Sequence, residues 1–132
     1  MILVDSSVWI DSIRGIPTPQ TARLRELDGD PRLAVGDLIL AEVLQGSSDD
    51  IRFARHFRIL TSFPIIDIAG RDVAVQAAQN YRALRARGVT ARGTIDTLIA
   101  TRCIMDGHAL LFSDRDFAPF VEHLGLRDAM NG

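Results

Sequence analysis

The chain has 132 residues, 47% of them apolar and 24% charged, with a formal net charge of −2. That length buries a substantial core and suits one domain spanning residues 1–132. A pI near 5.8 argues against a protein that coats polyanions indiscriminately, and no apolar run approaches the roughly 20 residues that cross a bilayer.

The opening "MILVDSSVWI" has no basic leader and no small-residue cleavage site, which predicts a protein without a signal peptide and a cytoplasmic location. Within it, Ile2 to Val4 is a short, fully apolar run, as expected of a central strand buried on both faces. Ser6 offers an N-cap for a helix that continues through Val8, Trp9, Ser12 and Ile13 to Gly15. A connection, "GIPTPQ", leads to a loosely helical stretch from Thr18 to Leu27. Leu33 to Val35 is a second strand, followed by a short helix from Leu38 to Leu44 with Gly46 as its stop. "GSSDD" reads as a turn into a helix over Ile51 to Leu60, with Phe53, Ala54, Phe57 and Leu60 on one side. "PIIDI", Pro64 to Ile68, is a third strand. The strongest helical pattern is Asp72 to Arg87, where Val73, Ala77, Tyr81 and Leu84 form an apolar stripe ended by Gly88. Another helix runs from an N-cap at Thr94 to Met105, ending at Gly107. Ala109 to Phe112 is a strand, Phe117 to Leu124 a short helix, and Leu126 to Ala129 a last edge strand. Short apolar strands alternating with helices predict an α/β domain with a mostly parallel sheet.

In such sheets, ligands bind beyond the carboxyl ends of the strands. Asp5 directly follows the first strand, and Asp114 and Asp116 follow the strand that ends at Phe112. Glu42 lies on the helix after the second strand, and Asp96 in the first turn of the helix that begins at Thr94. Taken singly, each has a plain structural use: Asp96, Asp114 and Asp116 can favour the positive end of a helix, and Glu42 can be a solvated helix acid. Asp5 is harder to explain that way, because Ser6 already supplies a cap. Convergence is what needs a cause. Two carboxylates ~4 Å apart at an effective dielectric of ~20 repel by roughly 4 kcal/mol, so several together call for a cation. Oxygen-only ligands suit a hard ion, Mg²⁺ or Mn²⁺, and a carboxylate-held ion of that kind typically works on phosphates. The spacing therefore points toward a metal-dependent phosphodiester hydrolase.

Four segments, "ILVDSSVWID", "LAEVLQG", "IDTLIA" and "LLFSDRDF", resemble the four motifs of PIN-domain ribonucleases, in the same order and at similar spacing across essentially the whole chain. The resemblance is greatest to the VapC toxins of bacterial toxin–antitoxin pairs. It implies a three-layer α/β/α PIN-like domain with a central, mostly parallel sheet, assembling as a homodimer. It implies endonucleolytic cleavage of an RNA substrate, often tRNA or rRNA, with Mg²⁺ or Mn²⁺ as cofactor, inhibition of translation, and neutralisation by a VapB-type antitoxin. Carried onto this chain, the catalytic and metal-binding acids are Asp5, Glu42, Asp96 and Asp114, with Asp116 as an auxiliary acid. Ser6 and Ser113 stand where relatives carry Ser or Thr. For the antitoxin, the first two helices are the expected groove, with Trp9, Ile13 and Leu24 presenting apolar surface.

All 15 basic residues are Arg, so any contact with RNA phosphate falls to Arg. Arg82, Arg85, Arg87 and Arg92 form one group and Arg52, Arg55 and Arg58 another, each either a solvated helix face or a phosphate-contacting surface. His56, His108 and His123 are scattered without ligand spacing, Cys103 reads as a small buried helix residue, and Trp9 and Tyr81 read as packing residues. Two other readings remain open. One is a phosphatase with an aspartate nucleophile, which generally wants a second aspartate where Ser7 stands. The other is a non-catalytic PIN-like domain that binds RNA or protein.

Overall fold

Ile2, Leu3 and Val4 are apolar to either side, and they form the central strand β1 (Ile2–Val4), buried throughout. The computed structural model describes residues 1–131. It places beside β1 the strands β2 (Leu33–Gly36), β3 (Ile65–Ile66), β4 (Ala109–Leu111) and β5 (Arg127–Asp128). The spatial order is β3-β2-β1-β4-β5 and every pairing is parallel, with Leu3 opposite Ala34 on one side and Leu110 on the other. One helical layer contains α1 (Ser6–Arg14), α2 (Pro19–Glu26), α3 (Asp37–Gln45) and α4 (Asp50–Thr61), in which α1 packs on α2 and α3, and α3 on α4. The other contains α5 (Arg71–Ala86), α6 (Thr94–Asp106) and α7 (Ala118–Leu124), with α5 packed on both α6 and α7. This is the expected three-layer α/β/α arrangement with a parallel sheet. No described helix is long and apolar enough to cross a membrane.

Several details depart from the sequence reading. The cap of α1 is Asp5, not Ser6: Asp5 is extended and its carboxylate accepts from the Ser7 backbone, so the helix starts one residue earlier. Likewise Gly93 caps α6 in place of Thr94, with no side-chain capping bond, and the Thr97 hydroxyl donates to the Gly93 carbonyl at 2.8 Å. The expected face of α4 is rotated. Its core contacts are His56 and Leu60, while Phe53 and Phe57 stay 46% and 50% exposed. His56 can be buried there because Ser47 Oγ partners its Nδ1 at 2.8 Å. On α5, Asn80 takes a buried place that the stripe gave to Tyr81; its amide donates to Thr101 Oγ1 on α6 at 3.0 Å, and Tyr81 is only half buried. The proposed apolar groove of the first two helices is also corrected. Trp9 is buried and tilts against Phe63 at 5.5 Å, and Leu24 is in the core, so of the three residues only Ile13 is exposed.

A short strand needs support where it ends. At Gly36 a β-carbon would sit 2.7 Å from Ile68 Cδ1, so only glycine admits Ile68 over the end of β2. Ile68 is held from two sides. Its N–H donates to Asp37 Oδ1 at 2.9 Å, and its carbonyl accepts from Arg102 Nε at 2.9 Å. The segment after β3 thereby links the start of α3, which carries Glu42, to α6, which carries Asp96.

Candidate metal centre

Parallel strands all end at one edge of the sheet, and Asp5 and Asp114 follow strands that end there. Asp5 ends β1 and is 4% exposed; its N–H donates to the Leu111 carbonyl at 2.8 Å, which ties the end of β1 to the end of β4. Its carboxylate accepts from Ser7 Oγ at 2.7 Å as well as from the Ser7 N–H. Just past β4, Asp114 is extended and caps a single 3₁₀ turn (Arg115–Phe117), accepting from the Asp116 N–H at 2.9 Å. Buried Phe117, against Phe112 at 5.4 Å, anchors that turn to the core. The apolar run of β4 therefore serves as the mount, and the acids that follow it are aimed outward from the mount's end.

Asp96 enters from the first turn of α6. One carboxylate oxygen each from Asp96, Asp114 and Asp116 lie within 4.8 Å of one another. Asp5 and Glu42 stand close enough to this trio to act on it electrostatically. Asp96 is pushed up to about 6 from an ordinary 3.8, by burial first and then by the charges of Asp5, Asp114, Glu42 and Asp116. Burial also raises Asp5, against the lowering effect of its bonds to Ser7 and Ser6, with Asp114 adding to the rise. Glu42 is raised by burial and then by Asp5, with the Ser6 hydroxyl opposing. Of the five acids singled out in the sequence, Asp96, Asp114 and Asp116 form one cluster, and Asp5 and Glu42 lie within electrostatic reach of Asp96. The trio of nearest oxygens includes Asp116, which the motif comparison treats as auxiliary.

Chemistry of the donor set decides what fits. Two ionised carboxylates 4.8 Å apart repel by on the order of 3 kcal/mol at an effective dielectric of ~20. Two buried oxygens at this edge, Glu42 Oε1 and Ser113 Oγ, have no hydrogen-bond partner. Buried polar atoms are normally satisfied, so these are the atoms that a hydrated ion would complete. No His or Cys belongs to the group, and an all-oxygen set suits a hard divalent ion such as Mg²⁺ or Mn²⁺ over a softer one. The residues fit the metal. The three histidines lie elsewhere: His56 bonds Ser47, His108 lies beside the amino terminus and Asp106, and His123 lies beside Glu122. Cys103 is buried, as its place on α6 predicts. The sequence did not reveal Ser7 as the partner of Asp5, since two adjacent serines give no sign of which one bonds the acid.

The family model for the PIN domain matches residues 2–121. A VapC ribonuclease of Mycobacterium bovis, Mb1587, is 31% identical over 119 residues, covering 89% of both chains. Ribonuclease VapC11 of Mycobacterium tuberculosis has the same identity and coverage. Among solved structures, a chain of VapBC2 from Rickettsia felis, bound to a promoter DNA fragment, superposes with a TM-score of 0.72 at 22% identity over 96% of each chain. A toxin–antitoxin complex from Klebsiella pneumoniae gives 0.71 at 19% identity over 98% of each. At those identities the two structures speak to the fold alone.

Proposed function

The chain belongs to the PIN-domain family, and from that premise we propose that it is a divalent-metal-dependent endoribonuclease, the toxin half of a toxin–antitoxin pair. The observation that carries the reading is the meeting of Asp5, Glu42, Asp96, Asp114 and Asp116 at one sheet edge, with an orphaned Glu42 oxygen among them. The names of the curated relatives, ribonucleases of the VapC type, support RNA as the substrate. Asp5, Asp96, Asp114 and Asp116 would hold Mg²⁺ or Mn²⁺, with Glu42 completing the pocket. When bound, such an ion neutralises phosphoryl oxygens and lowers the pKa of water.

The residues themselves have separable tasks. Ser7 fixes the Asp5 carboxylate by its hydroxyl and its N–H, so that acid cannot swing away from the pocket. Glu42, with its free oxygen and raised pKa, accepts a proton from the attacking water. Water adds to phosphorus in line, the bond from phosphorus to the 3′ oxygen breaks, and that oxygen takes up a proton from solvent, to which Glu42 returns the one it accepted. The products are a 5′-phosphate and a 3′-hydroxyl. The target is tRNA or rRNA, cleavage stops translation, and the toxin works as a homodimer.

A VapB-type antitoxin restrains the toxin; the likeness to chains of VapBC complexes motivates this. Its seat moves from the buried Trp9 and Leu24 to the cleft between α1 and α4, where Ile13 and Ile59 are exposed beside Arg14, Arg52 and Arg55. The test is incubation of purified protein with total RNA, with and without Mg²⁺ or Mn²⁺, followed by sequencing of 5′ ends. Discrete ends carrying 5′-phosphate, absent in EDTA, are the expected result. Binding without any cut under either ion would contradict the reading.

A further inference from the structure

We propose that the cleft between α5 and α6 is a subsite that binds the nucleotide next to the scissile phosphate and so selects where RNA is cut; this rests on the reading of the acids as an RNA-cleaving centre. The cleft holds about 680 Å³, within the range of about 300–1,000 Å³ typical of small-molecule pockets. Its floor is small-residue and largely apolar, built from buried Ala77 and Thr97 and half-buried Leu98; half-buried Tyr81 lines it, and exposed Ala74 and Ala78 edge its mouth. Arg82 and Arg92 stand at its rim, exposed, with no acid partner among the described residues. An aromatic ring over a small-residue floor beside arginines is the chemistry of a stacked base with its phosphate.

Gly93 lines the cleft, and the place where its β-carbon would be lies 3.6 Å from Asp96 Oδ2. Cleft and acid cluster therefore share one wall, formed by residues 93–96. An RNA strand with its scissile phosphate at the acids reaches the cleft with an adjoining nucleotide. No Asp or Glu lines the cleft, so the charge at its rim is positive only and complements a polyanion.

The experiment measures a fluorescein-labelled, mixed-sequence single-stranded RNA decamer by anisotropy in EDTA buffer, and maps cut sites after addition of Mn²⁺. The variants are Tyr81→Ala, Tyr81→Phe, Ala78→Trp to fill the exposed mouth, and the pair Arg82→Ala with Arg92→Ala, with Arg25→Ala on α2 as a charge control. Circular dichroism melting establishes that each is folded. Loss of one stacked base weakens binding by roughly 5- to 150-fold, and Tyr81→Ala and Ala78→Trp are expected to fall in that range and to shift the nucleotides flanking the cuts. Tyr81→Phe keeps the ring and should stay within about twofold of wild type. If wild-type protein binds RNA through Tyr81 but cuts nothing after addition of Mn²⁺ or of Mg²⁺ in a parallel sample, the subsite stands and the hydrolytic reading falls. Folded Ala78→Trp with unchanged affinity and cut pattern overturns the subsite. So does a change in oligomer mass that leaves RNA affinity untouched, because the cleft is then a contact between copies.

Discussion

Asp5 carries two duties, and its neighbours make them separable. It caps α1 and it sits among the acids. Asn caps about as well as Asp, so Asp5→Asn should melt within a few degrees of wild type while RNA cleavage falls by at least about 100-fold. Asp5→Ala removes the cap too and should lose about 1 kcal/mol of stability in a urea melt. From sequence, the acid looked free of any structural task because Ser6 was available as a cap; local propensity ranks Ser and Asp alike and cannot choose between adjacent candidates. Asp96 makes a second prediction. Its folded pKa, about 6, lies above the ordinary 3.8, so the metal-free fold gains stability from its proton fully below pH 3.8 and loses that gain as pH rises through about 6. Discounted for the solvent that still reaches it, the loss is on the order of 1 kcal/mol. Thermal melts of metal-free wild type should therefore fall between pH 4 and pH 7 relative to Asp96→Asn, whose curve lacks this contribution. A parallel pair of curves would refute the raised pKa.

Between elements, packing phase is what periodicity leaves undecided. The boundaries of α1, α5 and α6 fall within a residue or two of the expected ones, because Gly15, Gly88 and Gly107 mark the ends of apolar patterns. The face of α4 did not follow from its own sequence. Phe53 and Phe57 obeyed the helical repeat, yet the core accepts His56, and Ser47, nine residues earlier in the chain, is what makes that burial tolerable. The Gly36–Ile68 contact was equally invisible, since it joins segments 32 residues apart. Gly36→Ala should cost about 1–3 kcal/mol by overpacking and should lower cleavage as well, because α3, which carries Glu42, begins at this point. Ile68→Val in the same chain should restore part of the loss, measured as coupling in a double-mutant cycle. Strictly additive effects would show that the two residues do not press on each other.

Parallel topology explains why scattered acids were legible as one site. Each strand delivers its next residues to the same edge, so "follows a strand" already fixes the place of Asp5 and Asp114, and a helix beginning near that edge fixes Asp96. Motif order supplied Glu42, whose reach depends on the tilt of α3 and not on spacing alone. The nearest trio, with Asp116 as a full member, depends on the 3₁₀ turn after β4 and could not be read from the sequence. Surface roles were the least legible. Trp9 and Leu24 were assigned to a partner and belong to the core, whereas the arginines near α5 were left as either solvated or phosphate-contacting. The account as a whole requires that the clustered carboxylates tolerate one another by sharing a divalent ion. Isothermal titration of Mn²⁺ into folded, metal-free protein near pH 6.5 tests this most directly. It should give a saturable heat with proton release from Asp96, weakened at least about tenfold in Asp96→Asn and in Asp114→Asn. A flat titration of well-folded wild-type protein would contradict it.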